Sequence, residues 1–159
     1  MSANHYDGIY ASTMVRTQET ATPTAQALGE PVEVLAGLRE IEAGQYEGQP
    51  ELDLKAMFGA PMRWLQGDRS ARIPGSLDGN EFDARFDEAV QHIYGSGEQH
   101  PVAFSHVGAI MLWTMMNVRN ADSSLLMSKP LPNMGRVVVT GNPSDGWTLT
   151  EWDADPPPC

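Results

Sequence analysis

Cysteine is all but absent: the single one, Cys159, is the last residue. No intrachain disulfide can form, and a reducing cytoplasmic setting is the expected one. Cys159 follows three prolines, which does not fit a lipid-anchor box. Long apolar runs are also missing. The longest, Ala109–Val118, includes Thr114 and Asn117 and falls short of the ~20 residues that cross a bilayer. The opening MSANHYDG has neither the basic residue nor the apolar run of a signal peptide. Positive charge is scarce, with 10 Lys and Arg against 21 Asp and Glu and a net charge of −11. Nucleic acid is therefore not an expected partner. A small phosphorylated metabolite remains compatible, because salt screens the overall repulsion beyond ~8 Å.

Several chemical signatures are absent as well. His5, His92 and His100 show no metal-ligand spacing and have no cysteine pair to help them, so zinc is not expected, nor any other cofactor. Ser105 lies outside any Gly-x-Ser-x-Gly elbow, and there is no Gly-rich nucleotide-phosphate loop.

The 159 residues, 41% hydrophobic and 19% charged, have the length and composition of one folded soluble domain. Asp7–Ser12 reads as a short buried strand. A helix capped by Ser12 or Thr13 follows, with a kink expected at Pro23 and an end at Gly29. Val32–Leu35 reads as a second strand and Pro50–Phe58 as a helix starting on proline. Residues 59–80, rich in glycine and proline and carrying Arg63, Arg69 and Arg72, read as a long loop or lid. Solvated charges are the simpler reading for at least two of those arginines. Glu81–Tyr94 is an amphipathic helix ending at Gly95, Pro101–Ser105 a strand and Gly108–Asn117 an apolar helix. Val137–Thr140 and Trp147–Trp152 form a hairpin around GNPSDG. The division is a single domain over 1–152 and a flexible Pro-rich tail over 153–159.

Alternating strands and helices imply an α/β fold with a mainly parallel sheet, whose ligands sit beyond the carboxyl ends of the strands. Arg16, Glu40 and His106 all fall just past a strand end. Arg16 belongs to the first turn of a helix, where free N–H groups and the dipole already favour an anion. A guanidinium there can grip phosphate oxygens bidentately, or it can be a surface arginine paired with Glu19 or Glu42. His106 suits a transferring phosphoryl group, but a core histidine bonded to a carbonyl would read the same. Glu40, in a dry crevice, could serve as a general acid, whereas Glu42 reads as a solvated charge and Glu47 as a structural acid near a helix start. Gly108 permits close approach of backbone to a ligand, and glycine also simply begins helices.

Together, YASTMVRTQETA, LREIEAGQYEG, FSHVGAI and RIPGSLDGNEFDARF resemble segments of the histidine phosphatase superfamily, which includes cofactor-dependent phosphoglycerate mutases. The resemblance spans residues 7–152. It implies a three-layer phosphoglycerate mutase-like sandwich with a mainly parallel sheet. It makes Arg16 and Gly108 substrate-binding residues, and Glu40 and His106 catalytic ones. Tyr46 stands where the family commonly has Trp, Val107 where it has a small glycine, and Arg85 lies in the helix after the variable loop.

The departure concerns the nucleophile. The family's first strand ends in Arg-His-Gly, whose histidine attacks phosphorus, and no Arg-His-Gly occurs here. The first strand and helix are therefore expected to be missing, and His5 precedes the strand at its amino end. The resemblance implies a phosphohistidine mechanism in a complete relative, with Glu40 protonating the leaving oxygen while Arg16 and His106 clamp the equatorial ones. This chain is expected to be inactive, with mutase and phosphatase chemistry not separable. An in-frame Leu-Val-Arg-His-Gly-like stretch upstream of Met1 would favour the enzyme reading. The alternative is a non-catalytic phosphate-binding or oligomerising scaffold. An unfilled interior strand position would leave buried backbone groups unmet at ~1–3 kcal/mol each, against a total stability of ~5–15 kcal/mol. The hairpin is therefore expected to pair with the 102–105 strand, or two chains to share strands in a homodimer.

Overall fold

A computed structural model of the chain describes residues 6–41 and 54–154. His5, Glu42, Tyr46, Glu47, Pro50 and Cys159 lie outside the described residues. The described backbone groups into two compact units, residues 6–40 with 85–109 and residues 41 and 54–84 with 110–154.

The first unit is an α/β layer. Its strands β1 (Gly8–Ala11), β2 (Val32–Val34) and β3 (Pro101–Phe104) form a parallel sheet in the order β2-β1-β3. Central β1 is buried along its whole length, as an inner parallel strand must be. Ile9 pairs with Val32 on one side and with Val102 on the other. Helix α1 (Val15–Leu28) packs on one face. Ile9, Ala11, Ala21 and Ala25 make its buried core, flanked by Leu28, Val32, Val102 and Phe104. The small alanines bring helix and sheet close, and full burial of Ile9 alone contributes ~1.5–3 kcal/mol. Tyr10 packs edge-on to His92 and gives its one hydroxyl proton to the Glu98 carboxylate, which anchors the segment before β3, with Ser96 Oγ 3.0 Å from the same oxygen. Burial and Glu98 push the Tyr10 phenol up to about 12, so it stays a donor.

Helix α1 ends as expected, with Gly29 at φ 69° returning its N–H to Ala25. Its start differs. Met14, not Ser12 or Thr13, is the N-cap, without a side-chain cap bond; the Ser12 hydroxyl accepts the Met14 N–H at 3.2 Å and also contacts His106. Pro23 lies inside the continuous helix. Beyond β2, a single 3₁₀ turn, Ala36–Leu38, rests on α3 (Gly79–Gly95). A Cβ on Gly37 would stand 2.5 Å from the Arg85 carbonyl oxygen and 2.9 Å from Ala89 Cβ, so only glycine lets the turn lie so close.

The second unit holds α2 (Leu54–Leu65), the start of α3, most of α4 (Val107–Asn117), α5 (Leu125–Ser128), and the hairpin β4 (Arg136–Asn142) and β5 (Gly146–Asp153). The expected lid over 59–80 is corrected here. Helix α2 runs on through buried Pro61 to Leu65, and α3 begins at Gly79. The span between them is pinned by Trp64, which stacks on Phe82 and donates to the Ala71 carbonyl at 2.7 Å. Arg63 pairs with Asp68, Arg69 with Asp83, and Arg72 with Glu81. Asp78 and Glu81 exchange side-chain and backbone bonds at the start of α3, the reciprocal arrangement of a capping box.

The expected pairing of the hairpin with β3 is not made. β4 and β5 form a separate antiparallel two-stranded sheet, and among the described residues β3 pairs only with β1. The carbonyls of His100 and Phe104 face β1. Alternation therefore turns the backbone groups of Pro101 and Ala103 toward the other edge, where the missing N–H of proline breaks no ladder bond.

Candidate active site

Three loops leave the carboxyl ends of the parallel strands and converge within the first unit. β1 runs into Ser12 and the first turn of α1, which carries Arg16 and Thr17. β2 leads through the 3₁₀ turn to Arg39 and Glu40. β3 leads to Ser105 and His106, directly before α4.

His106 is 6% exposed and bonded at both ring nitrogens, with Nε2 2.9 Å from Ser12 Oγ and Nδ1 3.1 Å from an Arg16 Nη2. The alternative of a core histidine satisfied by a carbonyl does not hold. Ser12 is in turn 2.9 Å from Thr17 Oγ1, and both hydroxyls are buried. Burial pushes His106 below its ordinary 6.5. The Glu40 carboxylate pulls the other way, while Arg16, Arg85 and Arg39 add to the depression.

Glu40 closes over the start of α4. Its carboxylate accepts the N–H of Gly108 at 3.1 Å and of Ala109 at 2.7 Å, as an anion at a helix N-terminus does. Gly108 makes this possible, since a Cβ there would lie 2.9 Å from Glu40 Oε1. Arg85 holds the backbone beneath, donating to the Arg39 carbonyl and, at 3.5 Å, to that of Glu40. Ser105 donates its hydroxyl to the Leu38 carbonyl at 2.6 Å, tying the end of β3 to the same turn.

Arg16, Glu40, His106 and Gly108 are thus brought together by the fold. Ser12, Thr17, Gly37 and Arg85 complete the arrangement and were not assigned to it from sequence. The hint for Ser12 was its place directly after a strand end. Arg85 was marked by the resemblance without a role, and Thr17 is named only by the partners it meets in three dimensions.

The sequence profile of the histidine phosphatase superfamily (branch 1) matches residues 1–155. The chain belongs to the histidine phosphatase superfamily. The chain is 41% identical over 167 residues to the PE-PGRS family protein PE_PGRS11 of Mycobacterium tuberculosis, covering 95% of this chain and 29% of that protein. It thus spans under a third of the length of this curated relative. Among solved structures, the mycobacterial glucosyl-3-phosphoglycerate phosphatase superposes with a TM-score of 0.71 at 19% identity, covering 95% of this chain and 79% of that one. The alpha-ribazole phosphatase of Shigella flexneri gives 0.67 at 18% identity, over 94% and 74%. The phosphoglycerate mutase of Bacillus anthracis gives 0.65 at 20% identity, over 97% and 74%. At these identities the likeness shows the fold: α/β, with a parallel sheet and helices, of the phosphoglycerate mutase-like kind. No helix among the described residues is long and apolar enough to cross a membrane.

The depressed pKa of His106 has a consequence for stability. Between that value and ~6.5 in the unfolded chain, the unfolded state binds more protons, so stability rises with pH. The contribution is present above ~6.5 and is lost as pH falls through the folded value. Denaturation by urea should therefore become easier on acidification through that window, and less steeply so in His106→Gln. Equal slopes in the two proteins would remove His106 from this account.

Proposed function

We propose that this chain carries the phosphate-holding part of a phosphomonoester-processing site of the histidine phosphatase type. Arg16 and His106 hold the non-bridging oxygens, the first as a bidentate donor and the second through Nδ1. Glu40 is the acid for the leaving oxygen, a role that requires its carboxyl to take up a proton and leave the Gly108 and Ala109 N–H groups, while Arg85 holds its backbone. Gly108 keeps the helix start close enough to serve both Glu40 and the anion. The observation that carries this reading is the direct contact between Arg16 and His106 beyond the ends of neighbouring parallel strands.

This chain is proposed to bind a phosphate monoester without turning it over. It has four histidines. His106 is engaged by Ser12 and Arg16, His92 pairs with Glu33, and His100 precedes β3 at the amino end of the sheet. His5 precedes β1 in sequence. None of the described histidines is thus placed to attack phosphorus across from Arg16, which is why no phosphohistidine step is assigned to them. Calorimetry with inorganic phosphate should give saturable binding, while para-nitrophenyl phosphate should show no hydrolysis above buffer. Turnover abolished by His106→Ala or Glu40→Gln would reveal a nucleophile within this chain and overturn the proposal.

A second reading, a non-catalytic scaffold that oligomerises, is favoured by β3, which turns the backbone of Ala103 away from its only described partner. Two copies sharing strands along that edge would have twice the 17.3 kDa mass of one chain. Light scattering after gel filtration tests this: a monomer at every concentration speaks against strand sharing.

A further inference from the structure

We propose that Ser12 and Thr17 are positioning residues that hold His106 as its Nε2–H tautomer, leaving Nδ1 as the atom presented to an anion. The assignment comes from counting protons along one chain of bonds. Arg16 is a donor only, so the Arg16–Nδ1 contact at 3.1 Å requires a lone pair on Nδ1. The proton of a neutral ring is then on Nε2 and points at Ser12 Oγ, 2.9 Å away. Ser12 Oγ also accepts the Met14 N–H at 3.2 Å, so its own proton must leave toward Thr17 Oγ1 at 2.9 Å. Thr17 passes its proton to the Met14 carbonyl at 2.7 Å. Each hydroxyl then donates once, and every proton in the sequence has an acceptor. The reverse direction is disfavoured, because it sets a protonated Nδ1 against the Arg16 guanidinium; it is reached only when Ser12 turns its proton to Nε2 and the exposed Arg16 side chain swings away.

The consequence rests on the phosphate-holding reading above. When phosphate oxygens take over the Arg16 Nη2, the lone pair of Nδ1 faces an anion and repels it. A proton taken from solvent onto Nδ1 reverses this: Nδ1–H donates to the phosphate while Nε2–H keeps Ser12. Phosphate capture is then coupled to proton uptake at His106. The charged groups facing the ring are Glu40 from the turn after β2, which favours the proton, and Arg16, Arg85 and Arg39, which oppose it. A bound dianion adds to the side of Glu40. Burial lowers the affinity of the empty ring for that proton, which makes the coupling larger.

The test is a two-bond ¹H–¹⁵N spectrum of the histidine-labelled chain at about pH 8, above the ordinary histidine value of ~6.5. The wild type should show His106 with Nε2 protonated and Nδ1 bare, and Thr17→Ser should keep that pattern. Thr17→Val frees the Ser12 proton to turn toward Nε2, so its spectrum should shift toward the Nδ1–H form or a mixture. An Nδ1–H ring in the wild type would overturn the proposal, as would a Thr17→Val spectrum unchanged from wild type. Should Thr17→Val not fold, the wild-type spectrum alone decides. Adding inorganic phosphate should protonate Nδ1 with uptake of about one proton, read by calorimetry in buffers of different ionisation enthalpy. Binding with no change at Nδ1 would also overturn the proposal. No binding at all would remove the phosphate-holding reading and leave the tautomer result to stand or fall by itself.

Discussion

Replacing Arg16 with alanine is expected to lower the affinity for inorganic phosphate by about 10–100-fold, the loss set by one or two hydrogen bonds between charged groups. Arg16 is exposed and lies at the start of α1, so its removal should leave the fold intact and unfolding should change little. Arg16→Lys should fall between the two, because an ammonium keeps the charge but not the planar fork. The effect should also be pH-dependent. In the variant, Nδ1 of His106 loses both its donor and one of the charges that oppose protonation. Titration calorimetry of the three proteins checks this. Equal phosphate affinity in wild type and Arg16→Ala would place the anion elsewhere.

The second large effect concerns stability. Gly37→Ala puts a methyl group 2.5 Å from the backbone oxygen of Arg85 and 2.9 Å from Ala89 Cβ, neither of which can yield without moving α3 or the turn. Overpacking of this kind costs about 1–3 kcal/mol, a fall in Tm of roughly 3–10 °C for a chain of this size. The turn it displaces leads directly to Glu40, so any phosphate-linked behaviour should change with it. Gly108→Ala provides the contrast. Its new methyl group meets the free end of the Glu40 side chain at 2.9 Å, which can swing aside. That variant should be destabilised less, by no more than the ~1 kcal/mol typical of a lost helix cap, while Glu40 leaves the start of α4. Thermal unfolding of both variants checks the ordering. A Gly108→Ala protein that melts below Gly37→Ala would show that the contacts are ranked wrongly.

Much of this arrangement could be read from residue order. Gly29 ending α1, the parallel strands around Ile9 and the hairpin about GNPSDG obey local chemistry: a left-handed cap, short apolar runs, and a turn whose Asn142 side chain accepts from Ser144 and Asp145. The convergence of Arg16, Glu40 and His106 was legible because parallel strands deliver their outgoing loops to one edge of the sheet. The misreadings have physical causes. Ser12 looked like a helix cap, but its hydroxyl is taken by His106 and Thr17, a partnership across 94 residues that no local pattern announces. Residues 59–80 looked like a lid because of their glycines and prolines. Yet Gly79 exists to admit the Trp64 ring, 2.8 Å from where its Cβ would be, and Pro61 sits buried within α2. Arg85 was marked in sequence by its place after the variable loop, but its role came only with the carbonyls of Arg39 and Glu40 at its guanidinium. Composition reports what a segment can do alone; tertiary approach decided these three.

The central claim is that Arg16 and His106 hold a phosphate over the carboxyl ends of β1 and β3. The most direct measurement is a crystal structure of the chain grown with inorganic phosphate. The account predicts phosphate oxygens at about 3 Å from both the Arg16 guanidinium and His106 Nδ1, with Ser12 still bonded to Nε2. A phosphate bound away from Arg16, with the Arg16–His106 contact undisturbed, would contradict it.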